Sequence, residues 1–190
     1  MPPKAKFSKE QIINASLEIT RELGFEHITA RAIGAKLNSS ARPIFTVFQS
    51  MDEVLEETVN AVKSVYNEYI DRGLAENPPF KGVGTSYISF AKNEPAFFRL
   101  LFMRENKESS ELSTILPAID TNSDKILGSI MQTYGMTHED SYELYKYLWI
   151  FTHGIASLCA TNVCNFTDEE ISTLLTNEFI SVLKKIKSER

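Results

Sequence analysis

The stretch from Thr29 to Leu55, TARAIGAKLNSSARPIFTVFQSMDEVL, constrains the fold more than any other part of this chain. Two short helical patterns flank a turn at Leu37-Asn38-Ser39, and an aromatic pair, Phe45 and Phe48, follows on the second. Helices this short are marginal on their own, so they need a third helix as a brace. A helix-turn-helix places its second helix in the major groove of DNA, which makes this stretch a candidate DNA reader.

The brace is predicted over residues 8–23. Ser8 and Gln11 have the spacing of a capping box, Ile12, Ile19 and Leu23 fall on one face, and Gly24 marks the end. Thr29 caps a helix over 29–36, with Gly34 as a close-approach point and Asn38 in a left-handed turn. The next helix is expected to open at Ser40 as its N-cap. Pro43 is then the third helical residue, where its missing N–H costs nothing. A longer helix follows from Ser50 to about Arg72, with Asp52 and Glu53 suiting its positive end. Further helical patterns cover 80–93, 95–104, 113–134, 138–162 and 167–187. The fold class is therefore all-α: an N-terminal three-helix helix-turn-helix domain, residues 1–49, joined to a larger helical-bundle C-terminal domain, residues 50–190.

Charge separates the same two parts. The chain carries a net −5, which taken alone argues against nucleic acid. Residues 1–50, however, hold seven Lys and Arg against four Glu, or +3, and the remainder carries −8. Such asymmetry is expected where a nucleic-acid-binding end is joined to something else. Cys159 and Cys164 are the only cysteines, and with His27, His138 and His153 they form no metal set. Two buried free thiols in a reducing cytoplasm are expected, with a redox-sensing pair as the alternative. The N-terminus has no apolar signal core, and the longest mostly apolar run, 148–160, is too short to span a bilayer. The expectation is a cytoplasmic protein with no membrane association, no cofactor and no metal.

The chemistry expected of the reader rests on a few side chains. Backbone N–H groups around Ala41 and Arg42 suit phosphate at a helix start. Ser40, Thr46 and Gln49 add donors near the same end, and Thr29 brings the start of its helix to the flanking backbone. Arg42 is the candidate for a guanine edge, and Thr46 for a thymine methyl or a phosphate.

Residues 8–55 resemble the N-terminal domain of the TetR-type (TetR/AcrR) transcriptional regulators. The resemblance lies in Ile12-Ile13-Asn14-Ala15-Ser16-Leu17, Gly24-Phe25, Thr29, Arg31 and Ile33, then Ser40, Ile44-Phe45, Phe48, and Ser50 with Asp52-Glu53-Val54-Leu55. It implies a homodimer on a palindromic double-stranded operator, with Arg31, Pro43 and Phe45 joining the DNA-facing set. It also implies a C-terminal domain that releases DNA when a small-molecule effector binds. The chain departs from the family pattern at Phe45 (usually Tyr), Met51 (usually Lys), Asn38 (commonly Gly) and Pro43 (more often small and polar). The first two departures remove phosphate contacts, which should flatten the salt dependence of binding.

In the C-terminal half, Phe90 to Phe102 resembles a helix junction of the same regulators, and Trp149 with His153-Gly154 resembles a C-terminal subgroup of them. Phe90, Phe98, Phe102, Tyr145, Trp149 and His153 are the candidate lining of an effector pocket, so the effector is expected to be largely apolar or aromatic. Ordinary core packing competes with that reading for each aromatic residue, and His153 reads best as a hydrogen-bonded core residue. Ile150, Gly154, Leu158, Ile171, Leu174, Leu175, Phe179, Val182 and Ile186 recur at helical spacing and form the candidate dimer surface. The sequence shows no catalytic arrangement of Ser/His/Asp or Cys/His and no phosphate loop. A non-enzymatic, ligand-responsive repressor is therefore the first reading. A DNA-binding protein without an effector, and an enzyme with a DNA-binding end, are the alternatives.

Overall fold

The computed structural model describes residues 5–104 and 122–188. Ser8 opens α1 (Lys9–Leu23) with both halves of the capping box. The Gln11 N–H donates to Ser8 Oγ at 3.1 Å, and the Ser8 N–H donates to Gln11 Oε1 at 2.9 Å. Ile12 and Ile19 are buried as their spacing requires, and Ser16 donates to the Ile12 carbonyl between them. Leu23 departs from that face: it is 58% exposed. Its angular position is right, but it lies in the last turn, at the rim of a cleft shared with Phe25, Leu100 and Arg104.

Thr29 caps α2 (Ala30–Lys36), its Oγ1 accepting from the Ala32 N–H at 3.1 Å. Lys36 ties α2 to α1 through Glu22 at 2.7 Å and Glu18 at 3.4 Å. Asn38 takes the left-handed conformation, φ 50. Gly34 is a close-approach point, because a Cβ there would lie 2.8 Å from the carbonyl carbon of Ser40.

The α-helix expected from Ser40 is replaced by a 3-10 turn, Arg42–Thr46, preceded by Ala41 and capped by no side chain. The reason lies in Pro43. A capping serine bonds the N–H two or three residues ahead, and Pro43, three residues after Ser40, has none. The chain instead winds more tightly, with the Ile44 N–H donating to the Ala41 carbonyl at 3.1 Å and the Val47 N–H to Ile44 at 3.0 Å. Ile44 and Phe48, both buried, anchor the turn.

Ser50 caps α3 (Met51–Leu74), accepting from the Glu53 N–H at 3.2 Å. Twenty-four residues make this helix about 36 Å long, enough to run from the reader deep into the C-terminal half. Its buried stripe is Val54, Thr58, Val62, Tyr66 and Ile70. The chain turns through Asn77–cis-Pro78 into α4 (Pro79–Asn93) and α5 (Pro95–Phe102). Then come α6 (Ser123–Tyr134), α7 (His138–Ala160) and α8 (Asp168–Ser188). The part of the expected 113–134 helix before residue 122 lies outside the described residues. Among the described residues, all regular structure is helical.

The core is organised around α4, which packs on α3 along one side and on α7 along another, while α7 packs on α8. Where α3 and α4 meet, Gly73 faces Gly82, and a Cβ on either would overlap the other's carbonyl oxygen. Hydrogens on both residues let the two backbones touch, a contact with no side chain to yield. Beside it an aromatic cluster forms around Tyr66, whose ring meets Phe90 at 5.3 Å and Phe102 at 5.1 Å, edge to face. Phe90, Phe97 and Phe98 are fully buried, and burial of each such side chain stabilises the fold by roughly 2–3 kcal/mol.

Candidate nucleic-acid interface and effector cavity

The candidate reader presents one solvent-facing surface built from α2 and the 3-10 turn. Arg31, Ser40, Arg42, Phe45, Thr46 and Gln49 are exposed, with Ala41 and Pro43 half-buried between them. Phe45 keeps 49% of its surface in water, while its neighbours Ile44 and Phe48 point inward. The turn thus holds an aromatic ring outward on a rigid base. Thr29 spends one lone pair as a cap, and Thr46 Oγ1 donates to the Pro43 carbonyl at 2.6 Å. The Gln49 N–H is taken by Glu53 Oε2 at 2.7 Å, which leaves its side-chain amide outward.

Cations of this end divide into two groups. Lys9 pairs with Glu57, Lys36 with Glu18 and Glu22, and Arg21 with Glu94. Arg31 and Arg42 have no ion-pair partner among the described residues. Among the same residues Lys6 also lacks an ion pair and donates to Ser39 Oγ at 2.9 Å, so Arg31 and Arg42 carry part of the positive charge of this end at the exposed surface. Arg21 does a different job: its fork meets both Glu94 oxygens at 2.9 and 3.0 Å and its guanidinium lies 4.5 Å from the centre of the Phe97 ring. The hydrogen bond to Glu94 holds the guanidinium pKa above its ordinary value. This contact fixes α1 to the corner between α4 and α5.

The second site is a cavity of about 310 Å³ bounded by α4, α6, α7 and α8, at the lower end of the size range of small-molecule sites. Phe80, Val83, Gly84 and Tyr87 supply one wall, and Tyr145, Leu148, Trp149 and Thr152 supply another. Tyr134, Leu175 and Phe179 complete it. Gly84 makes room, since a Cβ there would already come within 3.3 Å of Leu175. Burial raises the Tyr134 pKa.

Of the six residues expected at the pocket, Tyr145 and Trp149 line this cavity, whereas Phe90, Phe98 and Phe102 sit in the aromatic cluster behind it. His153 stands between the two. Its ring stacks on Trp149 at 4.8 Å, lies 5.6 Å from Phe98, and its Nδ1 is 2.9 Å from the Tyr87 hydroxyl. Burial lowers its pKa, which favours the neutral ring as Tyr87's partner. The α4 wall was visible as spacing: Phe80, Val83, Gly84 and Tyr87 follow i, i+3, i+4, i+7, with a glycine where an apolar stripe leaves space.

The candidate dimer stripe also divides. Ile171, Leu175, Val182 and Ile186 of α8 are buried within the protomer, and Phe179 lines the cavity. Ile150, Gly154 and Leu158 of α7 face outward, with Ile150 50% exposed. Ile180 on α8, missed in the sequence, is exposed as well.

Two solved structures share this architecture end to end. A Clostridium perfringens protein, provisionally assigned as a fatty acid metabolism regulator, superposes with a TM-score of 0.61 at 15% identity, over 92% of this chain and 97% of the other. A Mesorhizobium loti protein, provisionally assigned to the TetR family of transcriptional regulators, gives 0.59 at 13% identity, over 93% and 95%. The chain has the fold of the TetR-type regulators. No family model matches the sequence, and no curated protein does. The exposed turn and the cavity are built on different elements, linked by α3 and by the Arg21–Glu94 contact at the corner of α4 and α5.

Proposed function

We propose that this protein is a TetR-type transcriptional regulator: a cytoplasmic homodimer that represses by binding a palindromic operator and lets go when a small molecule fills the cavity. Residues 1–49 read the DNA, and residues 50–190 bind the effector and dimerise. The observation that carries the reading is the exposed turn, with Arg42, Phe45, Thr46 and Gln49 beside Arg31, on an otherwise acidic chain of this fold. Arg42 reads a base edge, Thr46 and Phe45 pack on sugar and base methyls, and Thr29, Arg31, Ser40, Gln49 and the Ala41–Pro43 backbone set position on the phosphates.

Two features support the dimer: the apolar outward face of α7 at Ile150, Gly154 and Leu158, and the two-fold symmetry that a pair of half-sites demands. Among the described residues no helix is long and apolar enough to cross a membrane.

Release follows from how α4 is held. One face of α4 is the cavity wall, its Gly82 touches the backbone of α3, and its C-terminal corner at Glu94 holds Arg21 of α1. A ligand that favours a shifted α4 therefore favours a shifted reader. The shift is limited to the difference in the ligand's affinity for the two arrangements. The test is selection of bound duplexes from a random pool by the full-length protein. Enrichment of an inverted repeat with half-sites about one helical turn apart is expected. Failure to enrich any duplex at low salt contradicts the reading.

A further inference from the structure

We propose that the cavity takes an amphipathic monoanion, an apolar chain or ring bearing a single carboxylate-type headgroup, with Lys81 holding the headgroup. The inference rests on reading the cavity as the effector site. The shape comes from α4, which lines the cavity from its N-cap Pro78 to Tyr87, a rise of about 13 Å. The inner end is Tyr87 and Trp149, backed by His153. The outer end is marked by Phe80 and Tyr134, both packed on Phe179 at 6.4 and 5.1 Å. The walls of this slot are mainly aromatic and aliphatic.

Charge is distributed along it unevenly. Among the described residues Lys81, exposed in the first turn of α4 at the outer end, is the one charged side chain in the lining, and no carboxylate lines the cavity. Among the described residues Lys81 has no ion-pair partner. Glu76, the nearest acid along the chain, leans on Gly82, at the contact with Gly73 of α3. The first turn of α4 contains no acidic residue, and no side chain caps it, so the helix dipole adds positive potential beside Lys81. The other polar groups of the lining, Thr152, Thr176 and the tyrosine hydroxyls, are neutral.

An apolar body with one negative end satisfies both halves of this slot. A cationic amphiphile meets Lys81 as a like charge. A polyanion finds no second cation in the lining.

Trp149 is the chain's single tryptophan and lies in the cavity wall, so its fluorescence reports occupancy directly. The experiment titrates the full-length protein at pH 8, where His153 is neutral, with decanoate, decanol and decyltrimethylammonium. Decanoate is expected to change the emission saturably and to bind about three- to tenfold more tightly than decanol, the range set by a partly exposed charge-assisted contact. Decyltrimethylammonium is expected to bind weakest. Lys81→Met should bring decanoate down to decanol and leave decanol unchanged, while Lys81→Arg retains the preference.

Equal binding of decanoate and decanol by the unaltered protein overturns the headgroup assignment and leaves the cavity as a binding site. So does a decanoate preference that survives Lys81→Met. No emission change with any of the three overturns the effector-site reading, and this inference with it.

Discussion

The exposed turn and the cavity half place the same kind of side chain in opposite surroundings. At the reader, Phe45 is held out in water by a five-residue turn, so that a large apolar ring is available to a partner. At the cavity end, Phe90, Phe98 and Phe102 are packed away around Tyr66 and Tyr87, and the cavity is what remains beside them. The turn leaves Phe45 in water and is anchored by the buried Ile44 and Phe48. The cavity half buries its rings, and the slot lies beside them. An aromatic residue's role in this chain is therefore decided by which side of the core it stands on.

The sharpest way to break that comparison is to truncate one ring from each region. Phe90→Ala should lower unfolding stability by about 3–5 kcal/mol in a urea titration, because a fully buried ring leaves a void. Phe45→Ala should change it by no more than about 0.5 kcal/mol while weakening DNA binding. Equal losses would erase the distinction.

A second contrast concerns Leu175 and Ile150. Leu175→Asn should destabilise the protomer by about 2–4 kcal/mol, since it buries an amide in an apolar wall. Ile150→Glu should leave each protomer folded and convert dimer to monomer in light scattering. A monomer from Leu175→Asn with unchanged melting would reverse the assignment.

The smallest effect concerns His153. Its folded pKa lies below the unfolded value near 6.5, so the unfolded chain takes up the proton first as pH falls. Its contribution is fully present above about pH 6.5 and is lost as pH drops through the folded pKa. His153→Gln should therefore make stability less sensitive to pH as it falls below about 6.5, read as the change in urea midpoint. An unchanged slope would mean that the ring titrates as if exposed.

Much of this was legible from local chemistry. The Ser8–Gln11 box, the Thr29 and Ser50 caps, the left-handed Asn38 and the close approach at Gly34 each follow from residues a few positions apart. The failures have a common cause in longer-range context. Ser40 looked like a cap, but the partner it needed was the N–H that Pro43 lacks. Leu23 had the right angle on α1, but it lies in the last turn at the rim of a cleft shared with Leu100 of α5 and stays in water. Cys164, expected to be buried, is exposed four residues past the end of α7. Leu175 and Phe179 recur at the spacing of an interface, yet spacing tells only that a face is apolar, not whether it meets its own core or another copy. The aromatic character of Phe90, Phe98 and Phe102 suits a pocket and a packed cluster equally, whereas the slot is marked by Gly84, the small residue in an apolar stripe. The Gly73–Gly82 contact and the Arg21–Glu94 tie join segments far apart in the chain, and no local pattern announces them.

The central claim, that the exposed turn reads DNA, is tested most directly by fluorescence anisotropy of the selected duplex and a scrambled one. The unaltered protein and Arg42→Ala are compared at fixed salt. The account predicts that Arg42→Ala costs about 1–3 kcal/mol on the selected duplex and much less on the scrambled one, narrowing the preference between them. Identical affinities for the two proteins on the selected duplex would contradict it.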